Sequence, residues 1–381
     1  MRVIQRNWLL ALAAMACLLP GLSLANDDDA HGVFVMTNNA DDNEVIAYER
    51  DANGTLEIAR RYKTEGRGSG GTLDPLSSQG SLTLSEDHAW LFAANAGSGS
   101  ISVFRVRGSR LELSDVVPTE GSEPNAVAQH GDLVYVLNTA GSSSVVGFRL
   151  DEGGLTRIDD SLRFLSGNGA GSSSLAFSPD GRFLLVTERT TNDIDVFKVL
   201  SDGTLSAITL NKSAGPGAFS VVFAPNGTAI VTETGSSAPN SSAMSSYHVQ
   251  PDNTLKVVTA SIPTLGAANC WNVVTPDGHF VYAANAGSST IAGFAVGSGG
   301  ALTPIQATIV GINPSGASNL DLAITSDGKF LYSLNAGNDT IGLFAINPKD
   351  GALTSLGTLP IDLEHSATGH GSNGLNGIAA N

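Results

Sequence analysis

Short apolar runs alternate along the whole chain with Asp-Gly, Asn-Gly and Gly/Ser-rich breaks. The clearest unit runs from Leu175 to Glu188: an apolar stretch, the turn Pro179-Asp180-Gly181, and a second apolar stretch that ends in a polar residue. It returns from Val273 to Asn285 and from Leu322 to Asn335, and weaker copies end at Thr37, Asn95, Asn138 and Glu233. These seven terminal residues are spaced 58, 43, 50, 45, 52 and 50 residues apart. A period of roughly 50 residues marks a propeller or solenoid, in which each unit buries its apolar faces against its neighbours.

Each repeat predicts four strands. In the fourth these are Ser174–Phe177, Phe183–Thr187, Ile194–Val199 and Thr204–Ile208, with turns at Pro179-Asp180-Gly181 and Ser201-Asp202-Gly203. The β-branched and aromatic residues favour strands, and the Asp-Gly pairs favour tight hairpins. Residues 99–106 and 339–346 read as third strands of other repeats. No segment sustains a helical period, so the fold class is all-β, a seven-bladed propeller. The first strands, 33–37 and 44–48, lack an inner strand before them, and Leu375–Asn381 reads as an inner strand with nothing after it. The C-terminal strand is therefore expected to complete the first blade and close the ring. The domain is placed at 33–381, and 26–32 is expected to be a disordered acidic lead-in.

The N-terminus adds a compartment. Arg2 and Arg6 precede an apolar run from Trp8 to Leu19, then Pro20-Gly21 and Ser23-Leu24-Ala25, the order of a signal peptide cleaved after Ala25. An exported protein, periplasmic or extracellular, is the expectation. Beyond Ala25 only Cys270 remains of the two cysteines, so no internal disulfide can form. The formal charge of −16 becomes −18 once Arg2 and Arg6 are gone, which argues against nucleic acid and anionic membrane surfaces as partners. A small polar molecule and a protein are the partners that remain.

Strand direction then locates the candidate chemistry. The seven repeat-ending residues and the long inter-blade loops fall on one face, here called upper, and the short Asp-Gly turns fall on the other. Asn at such strand ends commonly caps its own turn. Glu188 and Glu233 break the pattern in adjacent blades, and paired carboxylates at a channel mouth suit general acid–base work or a cation; they also read as solvated loop residues. Ser81, Asn125, Ser174, Ser220, Trp271, Asp321 and Asn376 start the inner strands, a polar and nearly uncharged ring. It fits a neutral polar ligand, and equally a water-filled channel. Inter-blade loops add Arg67, Glu123, Arg163, Lys212, His365 and His370. The two histidines beside Glu364 have no third ligand fixed by spacing, so no metal is assigned. No P-loop, Gly-x-Ser-x-Gly elbow or His-Glu-x-x-His occurs, and no motif requires a cofactor.

The wording of the repeats, Phe177-Ser-Pro-Asp-Gly-Arg-Phe, Phe223-Ala-Pro-Asn-Gly and Gly328-Lys-Phe-Leu-Tyr, together with the sevenfold count, resembles the seven-bladed propeller lactonases. That family includes 6-phosphogluconolactonases and fungal carboxy-muconate lactonising enzymes. The resemblance covers 33–381. Catalytic members carry Arg and His at the heads of inner strands after Gly-Pro. Here Gly215-Pro216 is kept, but Phe219 and Ser220 take those positions, Ser174 stands for the His of the preceding blade and Leu320 for the Arg of the last. Glu233 matches the family's glutamate. The resemblance implies a lactone hydrolase acting on a neutral lactone or sugar derivative, with Glu233 as general base and Glu188 or His370 assisting. Asn125, Ser174, Ser220, Trp271 and Asp321 are then the candidate ligand contacts. A non-catalytic binding propeller is the alternative.

Overall fold

The computed structural model describes residues 31–71, 73–236, 238–363 and 374–381. These form 29 strands in seven antiparallel sheets, and no helix occurs among the described residues. Six blades are built from consecutive strands. The other joins the C-terminal strand Ile378–Ala380 to His31–Met36, Glu44–Arg50 and Leu56–Lys63, closing the ring as the sequence implies. The first strand begins at His31, so His31 and Gly32 belong to the fold rather than to a disordered lead-in. The remainder of that lead-in, and the signal-peptide segment, lie outside the described residues.

The repeated turn is built by local chemistry. In Ser178-Pro-Asp-Gly the Ser178 hydroxyl donates to Asp180 Oδ1 (2.7 Å) and accepts from the Phe183 N–H (3.0 Å), while Gly181 takes φ of 67°. Thr275 with Asp277 and Thr325 with Asp327 repeat both bonds. A hydroxyl two residues before the Asp of an Asp-Gly pair thus satisfies the turn without help from another blade. One strand lies elsewhere than expected. The fourth strand of blade 4 is Thr209–Lys212, not 204–208. After the Ser201-Asp-Gly turn only Val199 and Leu205 bridge, and the Ser206 hydroxyl takes the Lys198 N–H, so ladder pairing resumes only at Thr209.

Apolar strand faces bury against neighbouring blades instead of forming one central core. Tyr135, Leu137 and Val145 of blade 3 meet Leu184, Val186 and Phe197 of blade 4. Ile230 and Met244 of blade 5 meet Val281, Ala283 and Phe294 of blade 6. Buried tyrosines add polar locks between blades: Tyr135 donates to Gly203 O (2.7 Å), Tyr282 to Gly351 O (2.8 Å) and Tyr332 to Gly54 O (3.0 Å). The last of these joins blade 7 to blade 1, where buried Arg50 also lies over Phe330 and 3.6 Å from Asp327. Inner strands touch their neighbours in order around the closed ring, which leaves a central channel lined by seven of them.

Candidate functional site

The residues that end the second strands turn out to be structural nodes. Asn95, Asn138, Glu188, Glu233, Asn285 and Asn335 are all fully buried. Asn95 donates to Ser102 (2.8 Å) and accepts from Thr64 in the loop entering its blade (2.7 Å). Asn138 accepts from Thr119 in the same way (2.7 Å). Glu233 follows this plan: it accepts from Ser213 (3.3 Å), Gly215 N–H (2.8 Å), Ser245 (2.5 Å) and Ser261 (2.6 Å). Gly215 is required there, since a Cβ would stand 2.1 Å from Glu233 Oε2. Glu188 accepts from the Ser166 N–H (3.1 Å), the Ser166 hydroxyl and Thr191 (2.8 Å). The two glutamates therefore do not form a solvated pair at the channel mouth. Each points between blades, because the strand-end side chain falls on the blade face, and each is held by its entering loop together with hydroxyls of its own blade.

Blade 4 departs from the others in one detail. Where blades 2 and 5 set Ser102 and Ser245 against the strand-end residue, blade 4 sets Asp195 against Glu188. Asp195 is fully buried and neither of its oxygens has an ordinary donor. Burial, then the neighbouring Glu188, pushes its carboxyl up to about 9, so it stays protonated at neutral pH. Asp193 beside it pairs with Lys212 at 2.7 Å, which accounts for that lysine.

The polar ring at the heads of the inner strands is committed in large part. The Asn125 amide donates to Ser172 O (3.2 Å) and Leu76 O (3.4 Å). Ser220 bonds Thr232 (2.7 Å) and Asn272 (2.9 Å). Trp271 stands edge-on to Phe219 with ring centres 5.1 Å apart and donates its indole N–H to Ser78 O (2.8 Å). Ser81 donates to Asn376 (2.8 Å). Asp321 accepts from Leu322 N (2.9 Å) and, across the closure, from Ile378 N (3.1 Å). Ser174 accepts a long bond from Val221 N (3.4 Å) and also lines an open cavity. Most of the ring is thus bonded within the protein, while Asn125 Oδ1 and Asn376 Nδ2 are buried without a hydrogen-bond partner.

The occupant is the loop between blades 1 and 2. Residues 73–80 dip into the channel and bond blades 3, 4 and 6. Ser78 donates to Asn125 O (2.7 Å), Gln79 N–H to Ser173 O (2.9 Å), and the Gln79 amide pairs with both Asn272 N (2.9 Å) and Asn272 O (2.8 Å). Below this plug the channel remains a cavity of about 530 Å³ opening on the lower face, walled by Val127, Ala176, Val222 and Val274.

Above it lies the chemistry that sequence reading missed. Asp74, at the start of the plug, is half-buried and its Oδ1 has no hydrogen-bond donor. Burial pushes its carboxyl up to about 7, against the downward pull of Arg189. Arg189 is exposed, lies 5.9 Å over the Phe219 ring, and borders an open groove of about 520 Å³ with Asn192, Pro216, Thr234 and Ser236. Among the described residues it makes no ion pair. Asp321, buried in the ring, is likewise pushed up to about 7 by burial, against two backbone N–H groups. The Cys270 thiol is raised well above its ordinary value by burial and then by Asp74. The one signal for Asp74 in the sequence was length: its loop accounts for the longest interval, the 58 residues from Thr37 to Asn95. His370, with His365 and Glu364, lies outside the described residues. Among the described residues no group of three or more His, Cys, Asp or Glu side chains is arranged to hold a metal.

A ring-closed seven-bladed propeller of antiparallel blades, its channel crossed by residues 73–80, defines the class. The model of the seven-bladed β-propeller lactonases matches residues 29–168, 142–271 and 272–361, and the chain belongs to that family. Among solved structures it is similar to a candidate 6-phosphogluconolactonase from Bacteroides uniformis. That likeness has 21% identity and a TM-score of 0.71, over 93% of this chain and 100% of the other. It is also similar to the periplasmic gluconolactonase of Pseudomonas aeruginosa, at 17% identity and a TM-score of 0.68, over 92% and 99%. At these identities the likenesses show the fold. No curated protein matches the sequence.

Proposed function

We propose that this lactonase-like propeller hydrolyses a neutral lactone or sugar-derived lactone at the upper channel mouth, with Asp74 as general base and Arg189 as oxyanion partner. The observation that carries it is Asp74 at the start of the plug: burial leaves its Oδ1 without a donor and raises its carboxyl to about 7, while the charge of exposed Arg189, which makes no ion pair among the described residues, acts on it. A base of that strength is suited to work near pH 7. In the step, Asp74 takes a proton from water as its oxygen bonds to the lactone carbonyl carbon. Arg189 faces the negative charge that develops on the carbonyl oxygen. Collapse breaks the ring C–O bond, Asp74 returns the proton to the departing ring oxygen, and a hydroxy acid leaves.

The test is a panel of neutral and anionic lactones offered to the 26–381 protein, with Asp74→Asn and Glu233→Gln alongside. Turnover is expected to rise through pH 7 and to fall roughly 10²–10⁴-fold in Asp74→Asn. If Glu233→Gln abolishes turnover while Asp74→Asn retains it, the base is Glu233. A folded wild type that turns over no lactone sinks the enzyme reading. It would favour the second one, a non-catalytic binding propeller, which the polar ring supports: the buried Asn125 Oδ1 and Asn376 Nδ2 have no hydrogen-bond partner within the protein.

We also propose that the protein is exported. The basic, apolar and small-residue order of 1–25 supports this, and a structural relative is described as periplasmic. The intact mass of the protein recovered from the cell envelope should correspond to a chain starting at Asn26; a chain retaining Arg2 and Arg6 would refute it.

A further inference from the structure

We propose that residues 73–80 form a seated plug that holds Asp74 at the channel mouth, and that Gln79 is its positioning residue. The catalytic part of this inference rests on the reading of Asp74 above; the plug itself does not.

The geometry of Gln79 is the main argument. Its carboxamide accepts from one backbone N–H and donates to one backbone carbonyl of the same residue, Asn272, as a neighbouring strand would. Its own N–H donates to Ser173 O on blade 4. Side chain and backbone of one residue therefore tie blade 4 to blade 6 across the channel. Ser78 extends the attachment, giving its hydroxyl to blade 3 and its carbonyl to the Trp271 indole. Leu76, buried to 5% exposure, packs with Phe34, Met36 and Ala96 of blades 1 and 2. Three residues within Leu76–Gln79 thus reach blades 1, 2, 3, 4 and 6, and Asp74 sits two residues before the first of them.

Two consequences follow. The seated plug divides the channel, so a ligand at the upper mouth cannot pass to the 530 Å³ cavity below. It also sets the surroundings of Asp74, whose Oδ1 is shut away from water only while the loop is down. Gln79 bonds Asn272 and Ser173 and lines the lower cavity, so its influence on Asp74 passes through the loop.

Cys270 provides a readout independent of catalysis. It is the only cysteine after Ala25, is 6% exposed, and lies close enough to Asp74 for that carboxylate to raise its thiol. Lifting the plug admits water and thiol reagents to it.

The experiment compares wild type with Gln79→Ala and Trp271→Phe in the 26–381 protein. The second variant removes the indole donor while keeping an aromatic ring against Phe219. Cys270 modification by a small disulfide reagent should be at least about tenfold faster in both variants, at unchanged far-ultraviolet circular dichroism. The midpoint of the pH–rate profile should move below that of wild type as Asp74 becomes hydrated, with kcat falling more than KM rises. Wild-type labelling rates in both folded variants would overturn the plug. Faster labelling with an unmoved pH midpoint would overturn the positioning of Asp74. If wild type shows no turnover, the catalytic reading fails, and labelling together with the Asp74 carboxyl titration by carbon-13 NMR decides the plug. Should Gln79→Ala not fold, Trp271→Phe gives the same comparison.

Discussion

A chain lacking residues 372–381 is expected to lose cooperative unfolding altogether. Those residues supply the inner strand of blade 1, where Ile378, Ala379 and Ala380 pair with Val35, Phe34 and Val33. They also bury Leu375 and Ile378, each contributing roughly 1.5–3 kcal/mol by its removal from water. Polar links at both neighbours go with them. Asn381 Oδ1 accepts from Gly32 N (2.6 Å) and its amide donates to Gly108 O (3.1 Å). Asn376 accepts from Ser81, and Ile378 N donates to buried Asp321. Losing the last of these leaves a desolvated carboxylate with an empty acceptor, which costs more than an ordinary hydrogen bond. The strand therefore closes blade 1 and joins blades 7 and 2 to it. Net stabilities are only about 5–15 kcal/mol, so losses on this scale remove the folded ring. Circular dichroism melting checks it. A sharp transition within a few degrees of wild type would show that the ring holds without its closing strand. A synthetic peptide of 372–381 added back should restore part of the transition.

The second large effect concerns Asp195 and pH. Its carboxyl lies near 9 in the folded protein, against an ordinary value near 4 when unfolded. Between those values the folded chain keeps a proton that the unfolded chain has released. Stability from this site therefore falls as pH rises from about 4 to about 9, and loses nothing further above that. At pH 7 the cost amounts to at most ~4 kcal/mol. Replacing the acid with the residue found in blades 2 and 5 should remove it. In blade 5 the Ser245 hydroxyl donates to Glu233 at 2.5 Å, and the same bond to Glu188 becomes available in Asp195→Ser. We expect the variant to be more stable than wild type at pH 8, with a flatter dependence of unfolding free energy between pH 5 and 9. The charged neighbours are Glu188, Asp193 and, through Asp193, Lys212, all of which the variant retains. Urea unfolding at several pH values decides it: equal slopes in the two proteins would remove Asp195 from the account.

Blade 4 could be misread from sequence for an instructive reason. Glu188 and Glu233 end equivalent strands of adjacent blades, and strand direction alone sends both to the upper face. Whether a strand-end side chain turns toward the channel or between blades depends on what the entering loop offers. Ser166 and Ser213 with Gly215 draw the two carboxylates between the blades. Several partners of the ring at the inner-strand heads arrive from another part of the chain, where no local pattern announces them. Trp271 bonds Ser78, and Asn272 bonds Gln79, both 193 residues away in sequence.

The sequence by itself determined the blade count, the turn chemistry and the ring closure. Those rest on contacts within a hairpin or on a period repeated seven times, so each copy reinforces the same reading. Ser178 with Asp180 and Thr275 with Asp277 need nothing beyond their own turn. Only the tertiary structure decided where the channel is blocked and where its chemistry stands. Asp74 owes its raised proton affinity to burial in a loop that appears once, and the charge of Arg189, from another blade, opposes that rise. A feature that occurs a single time and is held by residues of distant blades leaves no period to read; burial and proximity across the channel exist only once the ring has closed.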